Sequence, residues 1–193
     1  WHGTVNPISH TPQSSSQKRE IYVLAIASFV TTAGFGLFLP FLPLYVQELG
    51  VDDIGEVALW SGVIFTASPL LSAVVAPLWG MLADRYGYKL MIQKALLVFI
   101  VTVALMGFVE SALQLLALRI MQGLLGGFGP LALTMVSVTS PKTKLGSAMG
   151  VMQSAKIMSI VTGPAIGGVL AQFTGLRSLF FVASVTSLVA FIL

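Results

Sequence analysis

Cysteine is absent from this sequence, and the only histidines, His2 and His10, lie in its first ten residues. Without cysteine the chain can form no disulfide, no thiolate zinc site and no cysteine nucleophile. The apolar part of the chain also contains no cluster of carboxylates that would build a metal site or an acid-base centre. We therefore expect no metal, no cofactor and no enzymatic activity.

Charge is scarce as well. Only 9% of the 193 residues are charged and 56% are hydrophobic, whereas about a quarter of a soluble domain is charged. The apolar residues occur in runs near or above the roughly 20 residues that cross a bilayer as a helix. The ten basic residues are scattered along the chain, mostly in the leader and near short loops, and form no stripe along which a phosphate backbone could lie. We predict an integral membrane protein whose surroundings are lipid, with no nucleic-acid partner.

Six apolar runs predict six membrane-spanning helices, which we call spans one to six. They cover residues 21–49, 57–83, 89–109, 113–138, 145–171 and 176–193. Residues 1–20 are polar and predict a disordered leader, and the apolar run that follows has no signal-peptide cleavage pattern. Span six stops without a polar flank and residue 1 is Trp, so we expect a fragment of a longer protein, although an artificially shortened chain would look the same.

The loop charges predict the orientation, because Lys and Arg are retained on the cytoplasmic side of a membrane. Seven bases fall on one side: Lys18, Arg19, Arg85, Lys89, Lys94, Lys142 and Lys144. The other side carries acids and a single base, namely Glu48, Asp52, Asp53, Glu56, Glu110 and Arg177. We therefore predict a multi-pass protein of the cell (inner) membrane with its N-terminus in the cytoplasm.

An internal repeat relates the junction after span two to the junction after span five, at an offset of 88 residues (168 minus 80). The matching pairs are Gly80 and Gly168, Leu82 and Leu170, Ala83 and Ala171, Gly87 and Gly175, and Lys89 and Arg177. Pro40 and Pro130 also lie about equally far along spans one and four. Two three-helix units that face opposite sides of the membrane form an inverted 3+3 repeat, as in many transporters.

The junction after span two, from Gly80 to Lys89 (GMLADRYGYK), carries charges that its repeat lacks, since Asp84 and Arg85 correspond to Gln172 and Phe173. This segment resembles the signature loop between the second and third helices of the major facilitator superfamily. The resemblance implies a cytoplasmic gating loop, in which Gly80, Asp84, Arg85, Gly87 and Lys89 belong to a network that closes the inner side. Tyr88 replaces the usual base, so we expect this network to be one donor short. An ordinary solvated loop whose charges only set topology is the alternative.

Span four begins with RIMQGLLGG, residues 119–127, in which Arg119, Gly123, Gly126 and Pro130 share one helical face. The pattern resembles the fourth-helix motif of the same superfamily. The resemblance implies a role for Arg119 in proton coupling, with Gln122 beside it. A buried arginine can shift the pKa of a neighbouring acid or hold a substrate anion. The alternative is an arginine that snorkels to the outer membrane boundary.

Span five contains SIVTGPAIGG, residues 159–168, which resembles the Gly-Pro motif of the antiporter branches, with Ser159 in place of the first glycine. Gly163, Pro164, Gly167 and Gly168 would bend the helix and admit a close neighbour. A generic packing face of small residues is the alternative.

Lys156 lies near the middle of span five on the predicted face of Gln153, Gly163 and Gly167, so we expect it to point into the bundle. No acid lies at a matching depth in this half. An acid of a missing half, an anionic substrate or cavity water could each satisfy the ammonium. We predict a substrate or coupling role for Gln153 and Lys156, and a static structural pair is the alternative.

Aromatic side chains on span one, Phe35, Phe38 and Phe41, offer surface to amphipathic drugs, although any helix facing lipid and neighbours carries similar residues. Span two presents a face of small residues that predicts helix packing without chemistry. This face consists of Gly62, Thr66, Pro69, Ala73, Ala76 and Gly80.

The resemblance extends over everything after residue 20 and is closest to bacterial drug:proton antiporters. It implies an all-α membrane protein whose six helices, residues 21–193, form half of a twelve-helix fold. It further implies multidrug efflux by alternating access, with a small-molecule substrate, a proton and a second six-helix half as partners. Two alternatives remain: an importer or facilitator of sugars or organic acids on the same fold, and a membrane protein that transports nothing.

Overall fold

The computed structural model describes residue 26 and the ranges 29–139 and 145–192, and every regular element in these ranges is helical. The predicted leader, residues 1–20, and the beginning of span one lie outside the described residues. The helices are α1 (Phe29–Glu48), α2 (Ile54–Tyr86), α3 (Tyr88–Met106), α4 (Ala112–Leu125), α5 (Phe128–Thr139), α6 (Leu145–Thr174) and α7 (Leu176–Ile192).

Four of these helices, α1, α2, α3 and α6, are each long and apolar enough to cross a membrane. Span four is divided between α4 and α5, and span six corresponds to the shorter apolar helix α7. The structure thus confirms the six predicted spans as helical segments and corrects span four, which is not one continuous helix.

Polar side chains define where two of the helices begin. Asp53 precedes α2 and its carboxylate accepts a hydrogen bond from the Glu56 N–H at 2.9 Å. Ser111 precedes α4 and its hydroxyl accepts one from the Gln114 N–H at 3.3 Å. Each cap satisfies an amide of the first turn that has no partner within the helix.

The two matched junctions of the repeat have the same backbone structure. Gly87 separates α2 from α3 with φ +94°, and Gly175 separates α6 from α7 with φ +81°. Their N–H groups donate to the equivalent carbonyls of Ala83 and Ala171, at 2.8 and 3.0 Å. Glycine is favoured here because side chains rarely tolerate a positive φ. This local identity agrees with the inverted 3+3 repeat.

Together the described helices α1 to α7 form one bundle, which we call the unit. Helix α3 lies at its centre and packs against α4, α5 and α7, while α2 packs mainly against α4. At the end of the unit near Glu48, the Tyr45 hydroxyl donates to the Met106 carbonyl at 2.8 Å, and Phe180 packs between Phe38 and Tyr45. The apolar stretch of α3 is 44% buried, whereas those of α2 and α6 are each only 17% buried. Helices α2 and α6 therefore leave broad faces uncovered by the rest of the unit.

Spans one and four are both interrupted near their prolines. A short 3-10 turn, Leu39–Phe41, interrupts α1 at Pro40. Helix α4 ends at Leu125 and α5 begins at Phe128, with Gly127 at φ +94° between them. The prediction that Arg119, Gly123, Gly126 and Pro130 share one continuous helical face is therefore wrong. A pair of glycines permits a change of direction that other residues resist.

Candidate functional site

Arg119 lies inside the unit, on α4, and only 1% of its surface is exposed. The snorkelling alternative is therefore wrong for this structure, because the guanidinium does not reach the surface. Gly123, one turn further along α4, explains the close packing here. A methyl group on Gly123 would lie 2.6 Å from the carbonyl oxygen of Ser68, so α4 approaches the backbone of α2 directly.

A line of polar groups connects Arg119 to α3. The Arg119 Nη1 donates to Gln122 Oε1 at 3.2 Å, and Gln122 Nε2 donates to the Thr102 hydroxyl at 3.3 Å. Thr102 in turn donates to the Val98 carbonyl of its own helix at 2.7 Å. Thr102 and Gln122 are both buried, so their orientations are set by these contacts.

Aromatic rings lie around the same guanidinium. Its Cζ is 5.1 Å from the ring centre of Phe38 and 5.8 Å from that of Phe35, and Phe35 packs on Phe99 with ring centres 4.7 Å apart. These distances allow cation–π attraction, which strengthens where water is excluded. Phe38 is 1% exposed and Phe35 and Phe41 are half-buried. The predicted aromatic drug surface is therefore not open at Phe38, whose ring packs within the core.

Two donors of Arg119 have no hydrogen-bond partner, namely Nε and Nη2. Within the described residues no carboxylate forms an ion pair with this cation. A buried guanidinium without a counter-charge is costly, and it would gain strongly from a carboxylate or another anion. The arrangement can therefore attract an anion or favour the ionised form of a nearby acid.

The Gly-Pro motif forms a close contact between α6 and α1. A methyl group on Gly163 would lie 2.8 Å from the Cα of Gly36, and one on Gly167 would overlap the carbonyl oxygen of Leu37. Gly168 differs, since a methyl group there would meet only Phe41 Cζ at an ordinary 3.5 Å. Pro164 lies inside α6, and the buried Ser159 hydroxyl donates to the Lys156 carbonyl at 2.7 Å. The glycines thus admit a neighbouring backbone, as predicted.

Lys156 and Gln153 are exposed on the surface of the unit. Lys156 lies seven residues before Gly163 and shares its helical face, but no described helix covers it. The prediction that it points into the bundle of a complete transporter stays a prediction. Helix α1 covers α6 at Gly163 and Gly167, whereas the buried positions nearest Lys156 are Met152 and Ser159. Lys156 therefore lies at a level of α6 that the described helices leave uncovered.

The predicted gating loop lies where α2 ends. Asp84, Arg85 and Lys89 are exposed, and the guanidinium of Arg85 lies 5.5 Å from the ring centre of Tyr86. The Tyr88 hydroxyl donates to the Asp84 carboxylate at 2.5 Å. The expected shortage of a donor is therefore wrong at Asp84, because Tyr88 supplies a neutral donor where a base was expected. Gly80 lies one turn before Asp84, at the wall of a small cavity.

A second polar cluster, which is not predicted from the sequence, lies at the interruption between α4 and α5. There the Trp79 indole donates to the Leu124 carbonyl at 2.8 Å, and Lys94 donates to the Leu125 carbonyl at 2.5 Å. Lys94 was assigned to the topogenic charges of a loop. Its place six residues inside α3, beyond Tyr88, was the signal for an intramembrane cation.

The small-residue face predicted on span two is mostly exposed. Gly62, Thr66, Pro69 and Ala73 lie on the surface of the unit, so this face packs on no helix of the described chain. In the ranges that the structure describes, no three His, Asp or Glu side chains lie close enough together to hold a metal ion.

Comparisons with known proteins agree with this architecture. Residues 24–193 match the sequence model of the Major Facilitator Superfamily. The chain is 41% identical over 181 residues to the multidrug resistance protein MdtG of Proteus mirabilis, covering 94% of this chain and 45% of that protein. It is 40% identical over 186 residues to MdtG of Yersinia enterocolitica, and the match covers 96% of this chain and 45% of that protein. The chain thus spans about half the length of the curated relatives it matches.

The fold resembles a solved structure as well. The crystal structure of the human organic anion transporter MFSD10 (TETRAN) matches 91% of this chain and 47% of its own length, with a TM-score of 0.77 and 20% sequence identity. The structural similarity to MFSD10 supports the fold alone. The sequence matches support membership of a family. This chain is a multi-pass membrane protein and belongs to the Major Facilitator Superfamily.

Proposed function

We propose that this chain is the N-terminal half of a proton-coupled exporter of amphipathic drugs that works by alternating access. The observation that carries the proposal is its identity of about 40% to multidrug resistance proteins over more than nine-tenths of the chain. The Gly-Pro contact supports it, because it lies in the segment that resembles the antiporter motif. The buried Arg119 also supports it, because its segment resembles the fourth-helix motif in which an arginine is implicated in proton coupling.

The exposed faces of α2 and α6 support a second six-helix half as the partner. These helices are the least covered of the four that are long enough to cross a membrane, and the chain spans only 45% of the relatives' length. An apolar face with small residues would be covered by further helices of the same protein. Lys156 and Gln153 lie on this uncovered side, where a central cavity between two halves would reach them.

The proposed proton pathway includes Arg119, whose free Nε and Nη2 are suited to an anion. All seven acids of the sequence lie in the leader or near the predicted span ends, so we place the proton-carrying carboxylate in the second half. Arg119 would act on that acid after helix movement, since the guanidinium is sealed in the present conformation.

The proposed location is the cell (inner) membrane with a cytoplasmic N-terminus, on the strength of the loop charges. The loop with Asp84, Arg85 and Lys89 then lies on the cytoplasmic side, where it would close the inner gate. The proposal includes no catalysis, no metal and no cofactor, because transport requires only substrate, proton and bilayer.

The experiment uses the full-length protein that contains this chain, in inverted membrane vesicles energised to an acidic interior. A fluorescent drug and the internal pH are followed together. We expect drug uptake that a protonophore abolishes, and a loss of the pH gradient on addition of drug. Vesicles without the protein and vesicles with Arg119→Met serve as controls.

Two outcomes would contradict the proposal. Uptake that continues unchanged with a protonophore would remove the proton coupling. A pH gradient that responds to sugars or organic acids and not to drugs would favour the importer or facilitator of nutrients.

A further inference from the structure

The interruption of span four leaves backbone carbonyls without helical partners. Helix α4 ends at Leu125, and Gly127 adopts a φ of +94° before α5 begins. The last carbonyls of a helix have no N–H to accept from within it. Inside a membrane such groups need partners from the rest of the protein. At this interruption the partners are side chains of two other helices.

Trp79 of α2 and Lys94 of α3 supply these partners. The Trp79 Nε1 donates to the Leu124 carbonyl at 2.8 Å, and the Lys94 Nζ donates to the Leu125 carbonyl at 2.5 Å. The same ammonium lies 3.0 Å from the centre of the Trp79 ring. Three helices thus meet at two consecutive carbonyl oxygens.

The surroundings of Lys94 are those of a cation site. The carboxyl end of a helix carries partial negative charge, and the face of an indole ring attracts cations. Both lie against the ammonium, and in the described part of the chain no carboxylate pairs with it. A snorkelling lysine would extend to the membrane boundary instead, and its nitrogen would be held by water.

A cavity of about 50 Å³ lies against the bend, lined by Trp79, Gly80 and Tyr88 and by Gly127, Leu131 and Thr134. Helix α5 packs on α3 through Leu131, Ala132 and Val136, which holds the two helices together. At the bend itself, the specific contacts are the polar ones made by Lys94 and Trp79.

We propose that Lys94 is a positioning residue that occupies a cation site formed by the carboxyl end of α4 and the ring of Trp79, and that it sets the bend of span four. Arg119 lies on α4, before the bend, and α5 continues after it towards residue 139. The Lys94 ammonium thereby fixes the angle between α5 and α4, the helix that carries Arg119. The contacts of Lys94 do not depend on the proposed function. Only the expected effect of Lys94 on transport rests on the proposed function.

The test measures the bend directly. Spin labels are attached to cysteines placed at Leu113 and Val138, which are 66% and 65% exposed near the two ends of span four. The background is the full-length protein with any cysteine of its other half replaced, since this chain has none. Helix α5 has 12 residues and is about 18 Å long, so a change of about 10° in the bend moves Val138 sideways by about 3 Å. The measured distance changes by the part of this movement that lies along the line between the two labels.

Lys94→Met removes the charge and keeps most of the side-chain volume. We expect the distance distribution to shift or broaden relative to wild type, by up to about 3 Å for a change of about 10°. Lys94→Arg retains a cation and should keep the wild-type distribution. Gln93→Ala changes an exposed neighbour on the same helix and should also leave it unchanged. Lys94→Gln, which keeps a donor without the charge, serves if Lys94→Met does not accumulate in the membrane.

Chemical rescue distinguishes a cation site from a side chain that merely fills space. In Lys94→Ala, n-propylammonium replaces the missing atoms and the charge, whereas n-propanol has a similar shape and no charge. We expect the ammonium to restore the wild-type distances and the alcohol to have no effect. Rescue by both compounds, rescue by neither, or a Lys94→Met distribution identical to wild type would overturn the proposal.

Drug transport is measured on the same variants. We expect a several-fold loss of transport in Lys94→Met and its recovery in Lys94→Arg. Normal transport despite an altered bend would overturn the positioning role and leave the exporter intact. Absence of drug-dependent proton movement in the wild type would count against the exporter and leave the distance measurements valid.

Discussion

Arg119 and Lys156 are both cations within apolar helices, yet their surroundings are opposite. Arg119 is enclosed by α1, α3 and α4, with Gln122 and two phenylalanine rings against its guanidinium. Lys156 lies at a level of α6 that the described helices leave uncovered. A cation that is sealed inside one half acts on transport through helix arrangement, whereas an exposed one can touch substrate or the second half directly. The predictions below test this difference.

The largest expected effect is on transport in Arg119→Met. We expect a loss of about tenfold or more, because hydrogen bonds to charged groups contribute about 1.5–3 kcal/mol. Arg119→Lys should not restore transport, since an ammonium cannot reproduce the planar donors of the guanidinium. Drug efflux per amount of folded protein is the measurement.

Thermal unfolding of the same variant provides the control. Replacing a buried unpaired charge by an apolar side chain is often neutral or stabilising, so Arg119→Met should unfold no earlier than wild type. A variant that transports normally, or one that loses transport only because it unfolds, would remove the functional role of the sealed cation.

The second prediction concerns the contact that joins the helix of Phe35 and Phe38 to the helix of Lys156. Gly167→Ala places a methyl group onto the Leu37 carbonyl. We expect it to lower the free energy of unfolding by about 1–3 kcal/mol, the usual effect of overpacking. Gly168→Ala is the matched control and should change it by less than about 0.5 kcal/mol, because its methyl group has ordinary space. Equal effects of both substitutions in denaturation by detergent and heat would contradict the close contact.

A smaller effect is expected from Thr102→Val, which removes the hydroxyl that accepts from Gln122. The lost hydrogen bond should cost about 1 kcal/mol. If the hydroxyl orients Gln122 on Arg119, that free energy corresponds to a roughly fivefold lower transport rate. Thr186→Val is the control, because that exposed hydroxyl bonds only to carbonyls of its own helix. If both valine variants transported equally well, the connection from α3 to Arg119 would have no functional weight.

The smallest effect on stability is expected from Lys156→Met, within about 0.5 kcal/mol, since the side chain is exposed. Its effect should be on substrate preference. Lys156→Cys should react readily with a water-soluble thiol reagent in the folded transporter, whereas Arg119→Cys should be protected. Protection of the thiol in Lys156→Cys would place this position against lipid or another helix, and would end the contrast with Arg119.

The sequence was sufficient to predict the helical architecture because hydropathy acts over whole segments. The six spans, the glycine junctions at Gly87 and Gly175 and the burial of Arg119 all follow from patterns that repeat or persist. The exposure of Lys156 did not follow. Helical periodicity places Lys156 on the face of Gly163 and Gly167, but how far along α6 that face is covered depends on where α1 crosses it, and tertiary packing sets that crossing.

The interruption at Gly126 and Gly127 was missed for a related reason. In sequence, glycines inside an apolar run resemble a packing face, which is what Gly123 does provide. Only the positive φ of Gly127 and the donors from Trp79 and Lys94 show that the helix ends there. Those donors lie 45 and 31 residues away along the chain, measured from the carbonyls they reach.

The contact between Gly36 and Gly163 also bears on biosynthesis. The two residues are 127 positions apart (163 minus 36), and their backbones touch with no space for a side chain between them. At about 5–20 residues per second, a ribosome needs about 6 to 25 s to add the intervening segment. During that time the first span is a newly inserted helix whose partner does not yet exist, so its glycines face lipid or the insertion machinery until the fifth span arrives.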